Sequence, residues 1–394
     1  MAPTVWGPSV EFSCEACSIP LRVDAEIWRS IRPRLIPAES QPGSRPRCWH
    51  CGTPVSGESI DSLSFLSADV VTVRSSTAAQ LQGRLGAGEM PLVVLDHEGQ
   101  THLKRVLAGP GQKVTSDDRG RMRVDGKLIE PSDLPGLPID IDQRRTGEIA
   151  SRWSCFPSLA WQRDPEGNWF DSAETSEPRP ELVWLVYEHR NVYRGNVVSR
   201  VFDDCPANMG LDRRLHPVDQ VGLTVQLQLR PAGSSQESKQ AAMESTSGQI
   251  HAVAWTDQGV RVVSKKLPEK LDDQSMLVKF EPQAFRTGRR FDRSELSLAS
   301  APAVSATSPV AIGWSTNSIV RVGDLRLWRP IQWRMETPSR WPLQAKEWFV
   351  AGDNTPVSVD SRRWGPIHTD QIIGICDPIV RDETLRRDSK TLHG

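Results

Sequence analysis

The densest concentration of reactive side chains in this 394-residue chain lies near its C-terminus, between Gly352 and Gly365. The segment reads GDNTPVSVDSRRWG and places aspartates, serines, arginines and an asparagine between two glycines. Short polar side chains at this density favour a tight, hydrogen-bonded loop that orients other groups. The alternative is a surface turn held by an Asp–Arg pair, which is common in proteins.

A lysine within an apolar run is the second candidate. Lys104 lies between Leu103 and Val106 in a segment that is typical of a β-strand. A lysine can act as a general base only if its pKa falls toward the working pH, and burial has that effect because it penalises the ammonium form. Taken alone, a lysine on a strand is nearly always a solvated charge.

Four of the seven cysteines form two C-x-x-C pairs about thirty residues apart, which is the spacing of a zinc ribbon. Two such pairs complete a tetrahedral site with no open position, so we expect a structural Zn²⁺ and no metal in catalysis. A redox dithiol is the alternative, but it would be a single pair near a βαβ pattern, and the sequence lacks one. The predicted ligands are Cys14, Cys17, Cys48 and Cys51.

The other three cysteines are scattered along the chain at Cys155, Cys205 and Cys376. Their spacing offers no second metal site, and an odd total is unlike the even pattern of a disulfide-stapled secreted domain. We expect ordinary buried thiols at these positions.

Composition limits the classes of protein that need to be considered. The formal net charge is −1, so the clustered basic excess that a nucleic-acid-binding protein needs is missing. No apolar run reaches the roughly eighteen residues of a membrane helix, and no signal peptide is visible. Thirty prolines, twenty-eight glycines and many short alternating runs predict a mainly β protein with frequent turns.

Strand-like runs in the first part of the chain could position Lys104. They cover residues 68–73, 91–95 and 102–107 and are separated by turn residues. Residues 123–129 predict a hairpin, because Asp-Gly between apolar residues suits a tight turn.

A large β-rich insert is predicted between residues 135 and 341. Strand-like runs occur at 182–187, 250–255, 260–263 and 319–333, and apolar residues alternate strictly from 221 to 229. Residues 232–248 are polar and Ser-rich and predict a loop. We find no sustained amphipathic helix, and the pattern favours a sandwich.

The two catalytic candidates occur in motifs that resemble those of the type I signal peptidases, which are serine–lysine endopeptidases. The segment 352–365 resembles the family's GDNxxxSxDSRxWG box at every fixed position. The segment 104–111 resembles its KRVxGxPGD box, although Gln112 replaces the usual acidic residue and Ala108 also departs from the pattern.

The resemblance implies roles for these residues. Lys104 would be the general base, and Ser358 would hydrogen-bond it. Asp360 and Arg362 would brace the loop, while Gly352, Asp353 and Asn354 would shape its turn.

The nucleophile is absent from the matching part of the chain. The family's first box reads S-M-x-P-T-L, and the chain opens Met1-Ala2-Pro3-Thr4, so the expected serine would precede Met1. We expect a start assigned at the motif's own methionine, with the serine and a membrane anchor upstream. A weaker alternative nucleophile is Ser59, which lacks the Pro-Thr that should follow and has Asp61 close by.

The resemblance also implies the domain plan. Some signal peptidases, notably of planctomycete type, carry a cysteine-rich ribbon after the serine box and extra β domains. We therefore predict a β catalytic body formed by residues 1–134 and 342–380, with a ribbon at about 11–56 nested in it. Residues 135–341 would be the inserted domain and 381–394 a tail.

The implied function is cleavage of exported pre-proteins after Ala-x-Ala-like sites. The expected partners are these pre-proteins, the membrane surface and the secretion machinery, with no nucleic acid. The full-length protein would lie in the bacterial inner membrane with its catalytic domain on the outer, periplasmic side.

Two other functions remain open. A non-catalytic relative would bind extended peptides by β-augmentation without cutting them. A zinc-ribbon interaction protein would need a basic face, yet Asp24, Glu26 and Glu39 offset the arginines between the cysteine pairs.

Overall fold

A computed structural model of the chain describes most of its residues. The described residues are 4–31, 46–55, 63–131, 134, 136–142, 151–156, 161–164, 168–171, 182–230, 248–267, 275–292, 294, 301–315 and 319–377. In this part of the chain no helix is both long and apolar enough to span a membrane.

The N-terminal unit is a three-stranded antiparallel sheet with one helix and a small core of its own. The first cysteine pair lies in the turn between its first two strands, and the second pair lies in the loop before the third. Its elements are β1 (Ser9–Ser13), β2 (Pro20–Asp24), α1 (Ala25–Ile31) and β3 (Ser64–Leu66).

The next six strands and one helix follow in the chain before the predicted insert. They are β4 (Val73–Arg74), α2 (Ala78–Gly86), β5 (Leu92–His97), β6 (Gln100–Ala108), β7 (Lys113–Ser116), β8 (Met122–Val124) and β9 (Lys127–Leu128).

The region predicted as an insert contains fourteen strands among its described residues. In chain order the longer ones are β10 (Leu137–Asp142), β11 (Trp153–Phe156), β12 (Trp161–Arg163), β13 (Trp169–Asp171), β14 (Val183–Tyr187), β17 (Gly222–Arg230), β18 (Gln249–Thr256), β19 (Gly259–Lys266), β20 (Met276–Phe280), β22 (Val310–Ser315) and β23 (Ile319–Arg329). The two-residue strands are β15 (Arg190–Asn191), β16 (Val197–Val198) and β21 (Arg289–Arg290), and the helices are α3 (Pro282–Thr287) and 3₁₀ turns at Val192–Arg194 and Pro206–Asn208.

Two sheets of this region pack on one hydrophobic core. One sheet has the order β12-β13-β23-β17-β20 with β10 also on β23, and the other has the order β11-β14-β22-β18-β19-β21. Alternate residues of β17, Leu223, Val225 and Leu227, are buried in that core together with Ile250 and Ile312 from the facing sheet. The alternation at 221–229 therefore reports a half-buried strand, as predicted.

The C-terminal strands return to the first part of the chain. They are β24 (Arg340–Pro342), β25 (Glu347–Ala351), β26 (Ile367–His368) and β27 (Ile372–Cys376), with α4 (Ser361–Trp364) and a 3₁₀ turn at Thr369–Gln371 between them. They complete a six-stranded sheet, β26-β25-β6-β5-β27-β4, and a four-stranded sheet, β24-β7-β8-β9. The chain is mainly β and its strand pairs are antiparallel, which confirms the predicted fold class.

Two local predictions differ from the structure. The run 68–73 forms only the short β4 at its end, where Val73 pairs with Cys376 of β27. Val70 is 86% exposed, and Asp69 donates a single backbone hydrogen bond to the Trp6 carbonyl outside any strand ladder. The helix α2 was not predicted, although Thr77 and Gln80 form a capping box at its start. Only Leu81 of this helix is fully buried, so its apolar periodicity is weak.

The predicted hairpin at 123–129 is confirmed. β8 and β9 are joined by Asp125 and Gly126, which have φ values of 50° and 80°. Two consecutive residues with positive φ are what a tight turn of this hand requires. Residues 232–247 of the predicted Ser-rich loop and the predicted tail at 381–394 lie outside the described residues.

Candidate active site

Strand pairing brings the lysine and the C-terminal polar loop together. β6 and β25 are antiparallel neighbours in which Arg105 lies opposite Ala351. Lys104 precedes Arg105 and Gly352 follows Ala351, so both candidate segments emerge at the same end of the strand pair. Segments almost 250 positions apart in sequence therefore share one site.

Lys104 is buried and contacts Ser358. Its side chain is 9% exposed, and Nζ donates to Ser358 Oγ at 3.0 Å. Burial lowers the pKa of Lys104, while the charge of Asp360 raises it and that of Arg362 lowers it. A lowered pKa favours the neutral amine, which is the form that can accept a proton.

Gly352 allows Ser358 to reach the lysine. A Cβ atom at position 352 would overlap Ser358 Oγ and lie 2.7 Å from Ser358 Cβ and 3.7 Å from Lys104 Nζ. Only glycine therefore fits between the end of β25 and the Lys104–Ser358 pair.

Asp360 and Arg362 fix the loop that carries Ser358. Asp360 is fully buried and accepts a hydrogen bond from the Gly352 N–H at 2.8 Å and two from the Arg362 guanidinium at 2.8 Å each. Arg362 also donates to the carbonyls of Thr355 and Ser358. Burial opposes ionisation of Asp360, but these hydrogen bonds and the charge of Arg362 lower its pKa.

Asp353 forms a second buried ion pair in the site. Arg105 donates to both of its carboxylate oxygens, at 2.9 Å and 2.7 Å, and also to the carbonyl of Met90. The Thr4 hydroxyl donates to Asp353 as well. The N-terminal segment thus reaches the active-site loop through the threonine of the Met-x-Pro-Thr motif.

An aromatic group covers Lys104 on the side of α4. Lys104 Nζ lies 5.4 Å from the centroid of the Trp364 ring. His97 stacks on Trp364 with ring centroids 4.2 Å apart, and His102 lies 5.0 Å from Trp364. Burial together with the charge of Lys104 lowers the pKa of His102.

Residues of the region predicted as an insert form hydrogen bonds with the active-site loop. Asn208, which is 1% exposed, exchanges two hydrogen bonds with Asn354: its amide donates at 2.9 Å and its carbonyl accepts at 2.6 Å. Nearby, the Trp333 indole donates to the Gly352 carbonyl at 3.0 Å.

No role was assigned from the sequence to several residues that the structure places in the site. Arg105 and Thr4 lie inside recognised motifs, so their positions were a usable signal. Asn208 and Trp333 lie far from both motifs, and no local pattern marks them. The alternative nucleophile Ser59 lies outside the described residues.

The four paired cysteines form one cluster at the tip of the N-terminal unit. All are buried, and their sulfur atoms lie within 4.8 Å of one another. Cys14 and Cys51 Sγ are 3.6 Å apart, and Cys17 and Cys48 Sγ are 3.8 Å apart. A tetrahedral site with Zn–S bonds of about 2.3 Å has S···S edges of about 3.8 Å, so the geometry fits a metal ion.

The ribbon contacts the region predicted as an insert. His50 Nε2 lies 3.3 Å from Asp140 Oδ1, and the His50 carbonyl accepts a hydrogen bond from Arg152. Met209, directly after Asn208, is buried in the ribbon's own core. His50 is therefore a contact residue outside the sulfur cluster.

The remaining cysteines are separate from this cluster. Cys205 and Cys376 are buried and Cys155 is half-buried. Burial raises the pKa of Cys205 to about 11 and also raises that of Cys376, so both thiols stay protonated near neutral pH.

Comparison with known families gives one match. Residues 297–380 match the family model described as "Signal peptidase, peptidase S26". The matched range contains the whole Gly352–Gly365 loop and does not include Lys104. No curated protein matches the chain significantly. The match supports a relationship to the signal peptidases, and hence to peptidases.

Proposed function

We propose that this protein is a serine endopeptidase that removes signal peptides from exported pre-proteins, with Lys104 as its general base. The observation that carries the proposal is the buried Lys104 amine, 3.0 Å from Ser358 in the loop that matches the signal peptidase family. A buried, hydrogen-bonded lysine with a lowered pKa suits proton transfer better than a solvated charge.

The chemistry follows from these groups. The neutral Lys104 amine accepts the proton of a serine hydroxyl as its oxygen attacks the scissile carbonyl. The resulting ammonium gives that proton to the departing amine, and an acyl-enzyme remains until water hydrolyses it. Ser358 orients Nζ for both transfers, while the Asp360–Arg362 pair keeps Ser358 in place.

The nucleophile is assigned to a serine directly upstream of Met1 in the full-length protein. Thr4 hydrogen-bonds Asp353 beside the site, and the proposed serine would lie four residues before Thr4. An extended chain covers at most about 3.6 Å per residue, so the serine would lie within about 14 Å of Thr4.

The substrates inferred from the family match are pre-proteins with Ala-x-Ala-like sites. Membrane association through a segment upstream of the serine would bring the site to the outer face of the bacterial inner membrane, beside the secretion machinery. The cysteine cluster would hold a structural Zn²⁺, which supplies no step of the reaction.

The test compares two forms of the chain on one Ala-x-Ala peptide. The first begins at Met1, and the second, here called the serine-extended chain, carries a serine and a short leader before Met1. We expect cleavage after Ala-x-Ala by the serine-extended chain and none by the first form. The Lys104→Met variant should be inactive with an unchanged circular dichroism spectrum.

Two results would point elsewhere. Cleavage by the form that begins at Met1, abolished by Ser59→Ala, would make Ser59 the nucleophile. Tight peptide binding without cleavage in both forms would favour a non-catalytic peptide-binding relative.

A further inference from the structure

A cleft of about 680 Å³ lies directly beside the active-site loop. Its lining comes from residues 355–359 of the loop, residues 212–214 of the predicted insert and the segment 334–337. Because Ser358 lines the cleft and also contacts Lys104, a chain bound at Lys104 can continue into it.

The cleft is lined by five arginines and two acidic residues. The acidic residues are Asp212 and Glu336. The arginines are Arg213, Arg214, Arg334, Arg362 and Arg363.

Only two of the arginines are neutralised by well-packed carboxylates. Arg213 pairs with Asp204 at 2.5 Å, and Arg362 pairs with Asp360 at 2.8 Å. In both ion pairs the carboxylate compensates the charge of the arginine, so neither arginine offers much positive charge to a ligand.

Two of the other three arginines, Arg214 and Arg363, present positive charge at the surface of the cleft. Arg214 is exposed and forms no ion pair with any described residue. Arg363 meets only Glu336, at 3.5 Å, where both side chains are more than half exposed and the pair is weak. Arg334 is 8% exposed and donates to two carbonyls and to Gln332, and the charges of Asp219 and Asp203 act on it, so it belongs to the framework of the cleft.

Two buried polar atoms in the lining also lack partners. Arg334 Nε and Thr355 Oγ1 make no hydrogen bond within the described structure. Buried donors without partners are uncommon in folded proteins and mark places where a ligand or water completes the bonding. An anionic oxygen that entered the cleft would meet the exposed side chains of Arg214 and Arg363.

We propose that this cleft binds acidic side chains of the peptide substrate, next to the residues held at Lys104. The inference rests on the proposed peptidase function, because it takes the bound chain to be a peptide that passes Ser358. Guanidinium groups recognise carboxylates with two parallel hydrogen bonds, which fits aspartate or glutamate in the peptide. A concave site of this volume suits a peptide better than a flat lipid surface.

Peptide binding tests the proposal without requiring catalysis. The probes are two fluorescent peptides with one Ala-x-Ala sequence, carrying Asp in one and Asn in the other at the flanking positions. Fluorescence anisotropy with the chain that begins at Met1 gives both dissociation constants. We expect the Asp peptide to bind at least about threefold more tightly, with the difference lost near 1 M salt because the Debye length is then about 3 Å.

Variants locate the effect. The double change Arg214→Gln and Arg363→Gln should reduce the affinity for the Asp peptide to that for the Asn peptide. Arg290→Gln removes an exposed arginine of β21 that does not line the cleft, and it should leave both affinities unchanged.

Three results would overturn the proposal. These are equal affinity for the two peptides, an acid preference that survives the double substitution, and arginine-dependent binding to anionic phospholipid vesicles without any peptide preference. Failure of the proposed peptidase function would look different, because the serine-extended chain would then cleave neither peptide even if the Asp peptide bound more tightly.

Discussion

The contact between Lys104 and Ser358 depends on the absence of a side chain at Gly352. We expect Gly352→Ala in the serine-extended chain to displace Ser358, since the added Cβ would overlap its hydroxyl. Misplacement of a catalytic group by about 1 Å can cost about a hundredfold in rate, so kcat/KM should fall by about ten- to a hundredfold. Steady-state cleavage of an Ala-x-Ala peptide measures this change.

A matched alanine substitution controls for the general effect of replacing a glycine. Gly83 lies in α2 with open space around its Cα, so Gly83→Ala should leave kcat/KM unchanged. Equal rates for Gly352→Ala and the unsubstituted chain would show that Ser358 does not need its present position.

The pKa of Lys104 makes a separate prediction about pH. Because the neutral amine is the active form, kcat/KM should rise with pH through the pKa of Lys104 and level off above it. Burial lowers that pKa, so the midpoint of the rise should lie below the ordinary lysine value of about 10.4. The measurement is kcat/KM against pH for the serine-extended chain, and a profile that falls as pH increases would contradict the assignment of Lys104 as base.

The roles of some residues of the site could be predicted from the sequence, and the contacts of others could not. The hydrogen-bonded loop at 352–365 was predicted from local residue types, whereas the role of Lys104 as a base was expected only from the resemblance of its motif to a known family. The sequence could not reveal that Asp353 pairs with Arg105, because that pair depends on the register between β6 and β25.

At the scale of elements, a 3₁₀ turn of the predicted insert holds the active-site loop through Asn208. We expect Asn208→Leu to lower kcat/KM by about tenfold, since it breaks two buried hydrogen bonds and leaves the Asn354 amide unpaired. The pH at which the rate levels off should stay unchanged, because Asn208 is uncharged and makes no contact with Lys104.

Gln226→Leu provides the comparison for Asn208→Leu. Gln226 of β17 forms an exposed side-chain hydrogen bond with Ser275, far in sequence from both active-site motifs, so its replacement should leave kcat/KM unchanged. A similar loss of kcat/KM in both variants, or no loss in either, would remove Asn208 from the positioning of the loop.

The ribbon makes a prediction about metal content and stability. We expect one zinc ion per chain by elemental mass spectrometry, and its loss in Cys48→Ser, because that sulfur lies within the cluster. Metal binding is coupled to folding, so this variant should unfold at a temperature at least about 5 °C lower. Cys155→Ser should retain both the zinc and the unfolding temperature, and a zinc-free native chain would contradict the assignment.

Strands and turns with a clear pattern of residue types were predicted correctly, and elements without such a pattern were not. The alternation in β17 and the Asp-Gly turn between β8 and β9 follow directly from residue order. The run 68–73 has suitable β-branched residues, but of these only Val73 pairs with another strand, β27, and tertiary structure decides that pairing. The helix α2 depends on its capping box and on a single buried leucine.

Across the whole molecule, three regions meet at one loop. The ribbon core buries Met209, the adjacent Asn208 holds Asn354, and Thr4 donates to Asp353 from the N-terminal side. The sequence predicted separate regions along the chain, but these contacts depend on how the regions pack. The domain boundaries at 134 and 341 stay a prediction.

The most direct test of the central claim is to locate the acyl group formed during turnover. The serine-extended chain is mixed with an ester of an Ala-x-Ala peptide, quenched in acid and digested, and the acylated residue is identified by mass spectrometry. The account predicts an acyl group on the serine before Met1, and none in Lys104→Met. An acyl group on Ser59 or Ser358, or acylation that persists without Lys104, would contradict it.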